Sequence, residues 1–247
     1  MIDLRHGQFW TESRHAEQVK ARGSVDAMDY SKVSLAGIKG VVFDFGSVIC
    51  KPIAPDAGIF RLWGELGLSR AQWDEGFAKY RRPWDSGLIA GDEMYRRMLA
   101  DCGILDPAPD LLEKLWRTDA EGFVEAKIPE TLAFMRKLRK MGLKVGILTN
   151  MSVEFYRDYF TKACSEYIAE ADVVVVSAHE RLYKPDKALY DLTAKRIGLK
   201  PEELMFVDDL LVNVNGAKAA GWNAVQFLPE PAAGLTGVCP ASPVLVE

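Results

Sequence analysis

The 247-residue chain is 49% hydrophobic and 27% charged, the composition of an ordinary globular protein with ample core material. A formal net charge of −4, with no dense Lys/Arg block, argues against a nucleic-acid partner. Four scattered cysteines, Cys50, Cys102, Cys164 and Cys239, with no CxxC spacing, argue against a zinc site or disulfide framework and suit a cytoplasmic chain with reduced thiols.

Residues 1–38 read as a polar N-terminal extension of weak periodicity, with Phe9 and Trp10 as its packing candidates. It has no apolar leader core, and no run in the chain approaches the roughly 18 apolar residues of a membrane span. No membrane association is therefore expected, and oligomeric state is not legible. From Lys39 the pattern changes. GVVFDF (40–45) is a short apolar run of the kind that forms a parallel strand buried on both faces. KVGILTN (144–150), DVVVVS (172–177), LMFVDD (204–209) and WNAVQF (222–227) repeat the pattern. Helical stretches separate them: 129–142, opened by Pro129 and stopped by Gly142, then 153–163, 186–198 and 213–221. Such alternation predicts an α/β fold, a doubly wound parallel sheet with helices on both faces.

Residues 53–127 differ. Four helical patterns, 58–68, 71–81, 91–103 and 109–123, occur there with no strand between them. This block reads as a helical subdomain inserted into an α/β core of 39–52 and 128–247. The tail from Pro229 is rich in Pro, Gly and Ala and reads as loop.

Open parallel sheets bind ligands outside the carboxyl ends of their strands. Here those ends carry Asp44, then Thr149 and Asn150, then Asp208 and Asp209, with Lys184 and Pro185 in the loop after DVVVV. The carboxylates suit a hard divalent cation such as Mg²⁺. The hydroxyl, the lysine and free backbone N–H groups suit an anion. A cation and an anion together point to phosphate chemistry.

FDFGSV, LTN, YKPD and FVDDLLVNVNGA, in this order, resemble the four motifs of the haloacid dehalogenase-like hydrolase superfamily over residues 40–228. The helical insertion resembles that family's cap, and the likeness is to its cap-bearing phosphatase branch. The resemblance implies that Asp44 is a nucleophile that forms an aspartyl-phosphate. It implies that Asp44, Asp209, the Gly46 carbonyl and Asp208, directly or from behind, hold Mg²⁺. Thr149 and the Asn150 N–H would bind the substrate phosphate, Lys184 would neutralise charge on nucleophile and phosphate, and Asn213 would orient the acidic loop. The partner implied is a small phosphorylated molecule.

One position departs from the family pattern. Its phosphatases carry a second Asp two residues after the nucleophile, as proton donor and then base; here that residue is Gly46. General acid–base help is typically worth about 10²–10⁴-fold in rate. A phosphatase could do without it on sugar 1-phosphates or acyl phosphates, whose leaving groups need less protonation. A related branch with Asp-Leu-Gly-Asn at this place acts on sugar 1-phosphates. A dehalogenase would need no acid, but that branch tends to carry Tyr at this position and uses no magnesium. A catalytically weak binding or regulatory protein is the third reading, weakened by the retention of Asp44, Lys184 and Asp209. Ser47 is a candidate for hydrogen bonding in the loop. Arg81 and Arg82, before Pro83, read as a loop that could set specificity. Trp63, Trp73, Tyr80, Trp84, Tyr95 and Trp116 read mostly as core of the insertion. His6, His15 and His179 have no ligand spacing, and His179 reads as structural or solvent-facing.

Overall fold

The computed structural model of the chain describes Tyr30 and residues 33–227. Phe9, Trp10, His6, His15, Cys239 and the tail from Pro229 lie outside the described residues. Five parallel strands form one sheet: β1 (Gly40–Phe43), β2 (Lys144–Thr149), β3 (Val173–Val176), β4 (Leu204–Asp208) and β5 (Asn223–Gln226). Their order is β3-β2-β1-β4-β5, so β1 lies at the centre. Strand alternation sends Val41 and Phe43 to one face and Val42 to the other. Val41 and Phe43 join a cluster with Val145 and Ile147, covered by α5 (Pro129–Lys140) through Leu132, Met135 and Leu138. Val42 joins Leu148, Val175 and Phe206 under α9 (Lys187–Ile197) and α10 (Leu211–Ala219), through Leu189, Tyr190 and Val214. Two buried faces explain why the strands read as continuous apolar runs.

Between β1 and α5 lie four helices: α1 (Gly58–Glu65), α2 (Arg70–Asp85), α3 (Gly91–Asp101) and α4 (Pro109–Val124). They have their own core, in which Trp63, Trp73, Trp84, Tyr95 and Trp116 are buried, while Tyr80 is half-buried and donates to Asp101. A Ser69–Gln72 capping box starts α2. The loop expected at Arg81–Asp85 is absent. A proline inside a helix usually breaks it, yet α2 runs through Pro83 to Asp85. Near a helix C-terminus the missing N–H costs one hydrogen bond and the turn survives on its packing.

A two-stranded stalk joins the helical block to the sheet. Ile128 N donates to Ile49 O at 2.8 Å, and Lys51 N donates to Ala126 O at 2.7 Å. After β2 comes α6, built of Val153–Phe155, a π-helical turn Tyr156–Phe160 and Thr161–Ala163, followed by α7 (Ser165–Glu170). The single-period reading of 153–163 could not show that wider turn. The short α8 (Ser177–Glu180) follows β3 and carries His179, exposed and edge-on to Tyr156. Among the described residues no helix is long and apolar enough to cross a membrane.

Candidate active site

Asp44 is the first residue past β1, and its N–H donates to Val207 O at 2.9 Å. The β1–β4 register pairs Phe43 with Val207, so Asp44 emerges beside Asp208. Lys184 arrives from the loop after α8. Its Nζ lies 2.7 Å from Asp44 Oδ1 and 2.7 Å from Asp208 Oδ2, with all three side chains almost wholly buried. Asp208 also accepts from Leu210 N at 2.8 Å and, on both oxygens, from Asn213 Nδ2 at 3.1 Å. Its lone pairs are largely committed to the protein. Those of Asp44 and Asp209 are less so.

Asp44, Asp208 and Asp209 bring one carboxylate oxygen each within 4.8 Å of one another. Three buried acids thus face one buried lysine. Burial, then Asp208, pushes the Asp44 carboxyl up to about 7 against the pull of Lys184. Burial, Asp208 and Asp44 lift Asp209 well above the carboxylate range, opposed by a hydrogen bond with Ser47. Burial alone would lower the Lys184 ammonium; Asp208 and Asp44 outweigh it and hold it above its ordinary value. A hard divalent cation bound by oxygen would relieve this excess of negative charge, and the donor set fits Mg²⁺.

Ser47 adopts φ 57°, the left-handed region a non-glycine residue rarely occupies. This tight turn puts Ser47 within hydrogen-bonding reach of Asp209. At Gly46 a built Cβ would meet nothing within 4 Å, so the absent side chain leaves open space. Thr149 ends β2, buried, one residue beyond Leu148, which flanks Asp44.

Further contacts around the site loops carry little signal in the sequence pattern. The Asn150 side chain accepts from Lys184 N at 2.8 Å and donates to Lys184 O at 3.2 Å. Ser177 Oγ donates to the Asp85 carbonyl and accepts from Met151 N at 2.9 Å, joining helical block to site loop. Glu154 Oε1 accepts from Gly91 N at 2.7 Å and from Trp84 Nε1 at 3.2 Å. Arg81 turns inward, 2.6 Å from Asp85 and stacked on Trp84 and Phe123, while Arg82 reaches Asp186 at 2.9 Å. The only local cue was an acid in the first turn of a helix that follows a site loop.

The model of the haloacid dehalogenase-like hydrolase family matches residues 38–221. Haloacetate dehalogenase H-2 of Moraxella sp. (strain B) is 35% identical over 94 residues, 38% of this chain and 41% of that protein's length. Phosphoserine phosphatase of Thermus thermophilus is 27% identical over 177 residues, 67% of each chain. A HAD family enzyme of Bacteroides thetaiotaomicron, solved with magnesium and inorganic phosphate as an Asp12Ala mutant, superposes with a TM-score of 0.59 at 18% identity, covering 81% of this chain and 100% of its own. That likeness is one of fold. With the family model spanning most of the chain, strand-end acids included, the protein is a member of the haloacid dehalogenase-like hydrolase family.

Proposed function

We propose that this hydrolase is a Mg²⁺-dependent phosphatase of small phosphomonoesters that works through an aspartyl-phosphate on Asp44. The observation that carries the reading is the gathering of Asp44, Asp208 and Asp209 around one lysine. Displacing halide needs no such excess of buried acid. Phosphoryl transfer does, because a cation must cancel the repulsion between carboxylate and phosphate.

Asp44 Oδ2 is the oxygen left free by Lys184 and is the attacking atom. Lys184 holds the other oxygen and offers positive charge to the phosphoryl group as negative charge builds. The Thr149 hydroxyl and the Asn150 N–H receive the phosphoryl oxygens, and the start of α6 contributes free N–H groups. Asp44, the Gly46 carbonyl and Asp209, with Asp208 behind, would hold Mg²⁺, which would supply charge neutralisation. Gly46 has no proton to give, so the leaving oxygen departs unassisted at that position. Sugar 1-phosphates and acyl phosphates meet that requirement better than primary alkyl phosphates. The four-helix block serves as a cap, docked through Ser177 and Glu154, that excludes water.

The dehalogenase reading keeps one observation in its favour, the absence of an acid at residue 46. The test is phosphate release from sugar 1-phosphates and acyl phosphates against sugar 6-phosphates, with and without Mg²⁺, and with Asp44→Asn as blank. Mg²⁺-dependent release biased toward the first two supports the proposal. Absence of release together with halide release from a 2-haloacid would replace it.

A further inference from the structure

Two thiols unused by this chemistry meet in the interior. Cys50 and Cys164 are 114 residues apart in sequence, and their Sγ atoms are 3.6 Å apart. Both are free and buried. Cys50 stands at the root of the stalk, where its N–H donates to Phe45 O at 3.1 Å and its backbone bridges both Gly46 and Lys127. Cys164 closes α6, its N–H donating to Phe160 O at 2.9 Å. The Phe45 and Phe160 rings pack edge to face at 5.0 Å, so the two backbone segments are braced against each other beside the sulfurs.

We propose that Cys50 and Cys164 form an oxidation site, closing to a reversible disulfide when the protein meets a hydroperoxide. The sulfurs have about 1.5 Å to close before bonding, within reach of side-chain rotation. The two thiols share a hydrogen bond in which either sulfur can donate, and that bond with the Lys127 ammonium holds the Cys164 thiol below its ordinary range despite burial. Either thiol can open the reaction, and the balance is the same with Cys50 in place of Cys164.

The Cys164 thiolate attacks the terminal peroxide oxygen. The O–O bond breaks, an S–O bond forms, and the other oxygen leaves as an alcohol with one proton, or as water from hydrogen peroxide. Cys50 sulfur then attacks the sulfenic sulfur; the S–O bond breaks, the S–S bond forms, and hydroxide leaves as water with the Cys50 proton. Two thiols give up two electrons and two protons, and one hydroperoxide becomes one alcohol and one water. The bond ties the stalk root to the helix after β2 and closes a loop containing the whole helical block.

The test uses the full reduced chain, exposed to hydrogen peroxide, alkylated and mapped by mass spectrometry, with melting followed in parallel. The expected result is loss of two hydrogens, a peptide linking Cys50 to Cys164, and a melting temperature raised by about 5–10 °C. Dithiothreitol should reverse all three, and Cys164→Ala should show none of them. If both thiols stay reduced, or end as sulfinic acids, while the more accessible Cys102 has reacted, the proposal falls. A link to Cys102 or Cys239 instead, or one that appears only after denaturation, also overturns it. Should Cys164→Ala fail to fold, the wild-type map decides alone.

Discussion

Asn150 and Lys184 are joined by two hydrogen bonds of opposite sense, the side-chain amide of one clasping both the N–H and the C=O of the other. The ammonium that meets Asp44 is thus aimed by the residue that opens the loop after β2. Asn150→Ala should free the Lys184 backbone. Two lost hydrogen bonds predict a loss of about 1–3 kcal/mol in stability. Turnover should fall about 10–100-fold through kcat more than KM, since the N–H of residue 150, proposed to bind phosphate, remains. Steady-state kinetics beside a denaturant melt separates the two effects.

The clustered acids predict a pH dependence that metal reverses. Burial pushes the Asp44 carboxyl up to about 7 and lifts Asp209 well above its usual value, against 3.8 for an unperturbed Asp. The folded protein holds these protons more tightly than the unfolded chain. Their contribution to stability is therefore full below about pH 4; that of Asp44 is lost as pH rises through about 7, and that of Asp209 as pH rises through its own raised value. In chelator, the melting temperature should fall by several degrees across that window. Millimolar Mg²⁺ should remove the fall, because the cation takes the place of the protons. Equal melting with and without Mg²⁺ at pH 7 would mean that the three acids do not hold the ion.

Gly46 offers a gain-of-function test. A Cβ built there meets nothing within 4 Å, so Gly46→Asp should fold. A carboxyl two residues from the nucleophile could protonate a leaving alkoxide. Hydrolysis of alkyl phosphates should rise about 10–100-fold, within the usual range of general acid help. Hydrolysis of an aryl phosphate, whose leaving group needs no proton, should change little. The ratio of the two substrates is the readout.

Gly216 backs onto Pro185, the residue after Lys184. A Cβ built on it would lie 2.5 Å from Pro185 Cβ and 3.0 Å from Pro185 O. The obstacle is backbone and ring, which cannot swing aside. Gly216→Ala should cost about 1–3 kcal/mol and displace the loop carrying Lys184. A melt and a kcat measurement should fall together; loss of stability alone would mean that the loop absorbs the shift.

Glu154 fastens the helical block to the sheet through Trp84 and Gly91. Glu154→Gln keeps an acceptor oxygen but removes its charge, whereas Glu154→Ala removes both contacts. The alanine variant should raise KM about 10–150-fold, on the view that a charged acceptor is worth about 1.5–3 kcal/mol. The glutamine variant should lie between it and wild type. Amide exchange at Gly91 should quicken in the same order.

Much of the molecule was written locally. Val41, Val42 and Phe43 announce a strand buried on two faces because every successive residue is apolar, and Asp44 announces its end because a charge cannot continue that run. The π-helical turn in α6 and the passage of α2 through Pro83 were not legible, since both depend on packing against residues distant in the chain. Ser47 could be read as a loop residue, but its left-handed backbone and its bond to Asp209 could not.

By itself the sequence determined the strand and helix periods, the order of the polar groups and the absence of an acid at Gly46, because each depends only on neighbours along the chain. The tertiary structure alone decided which acid Lys184 would share with Asp44, that Asn150 would clasp that lysine, and where Glu154 would fasten the helices. It also brought Cys50 against Cys164. These pairs are far apart in sequence, and whether their side chains meet depends on sheet register and helix docking, which no local pattern encodes.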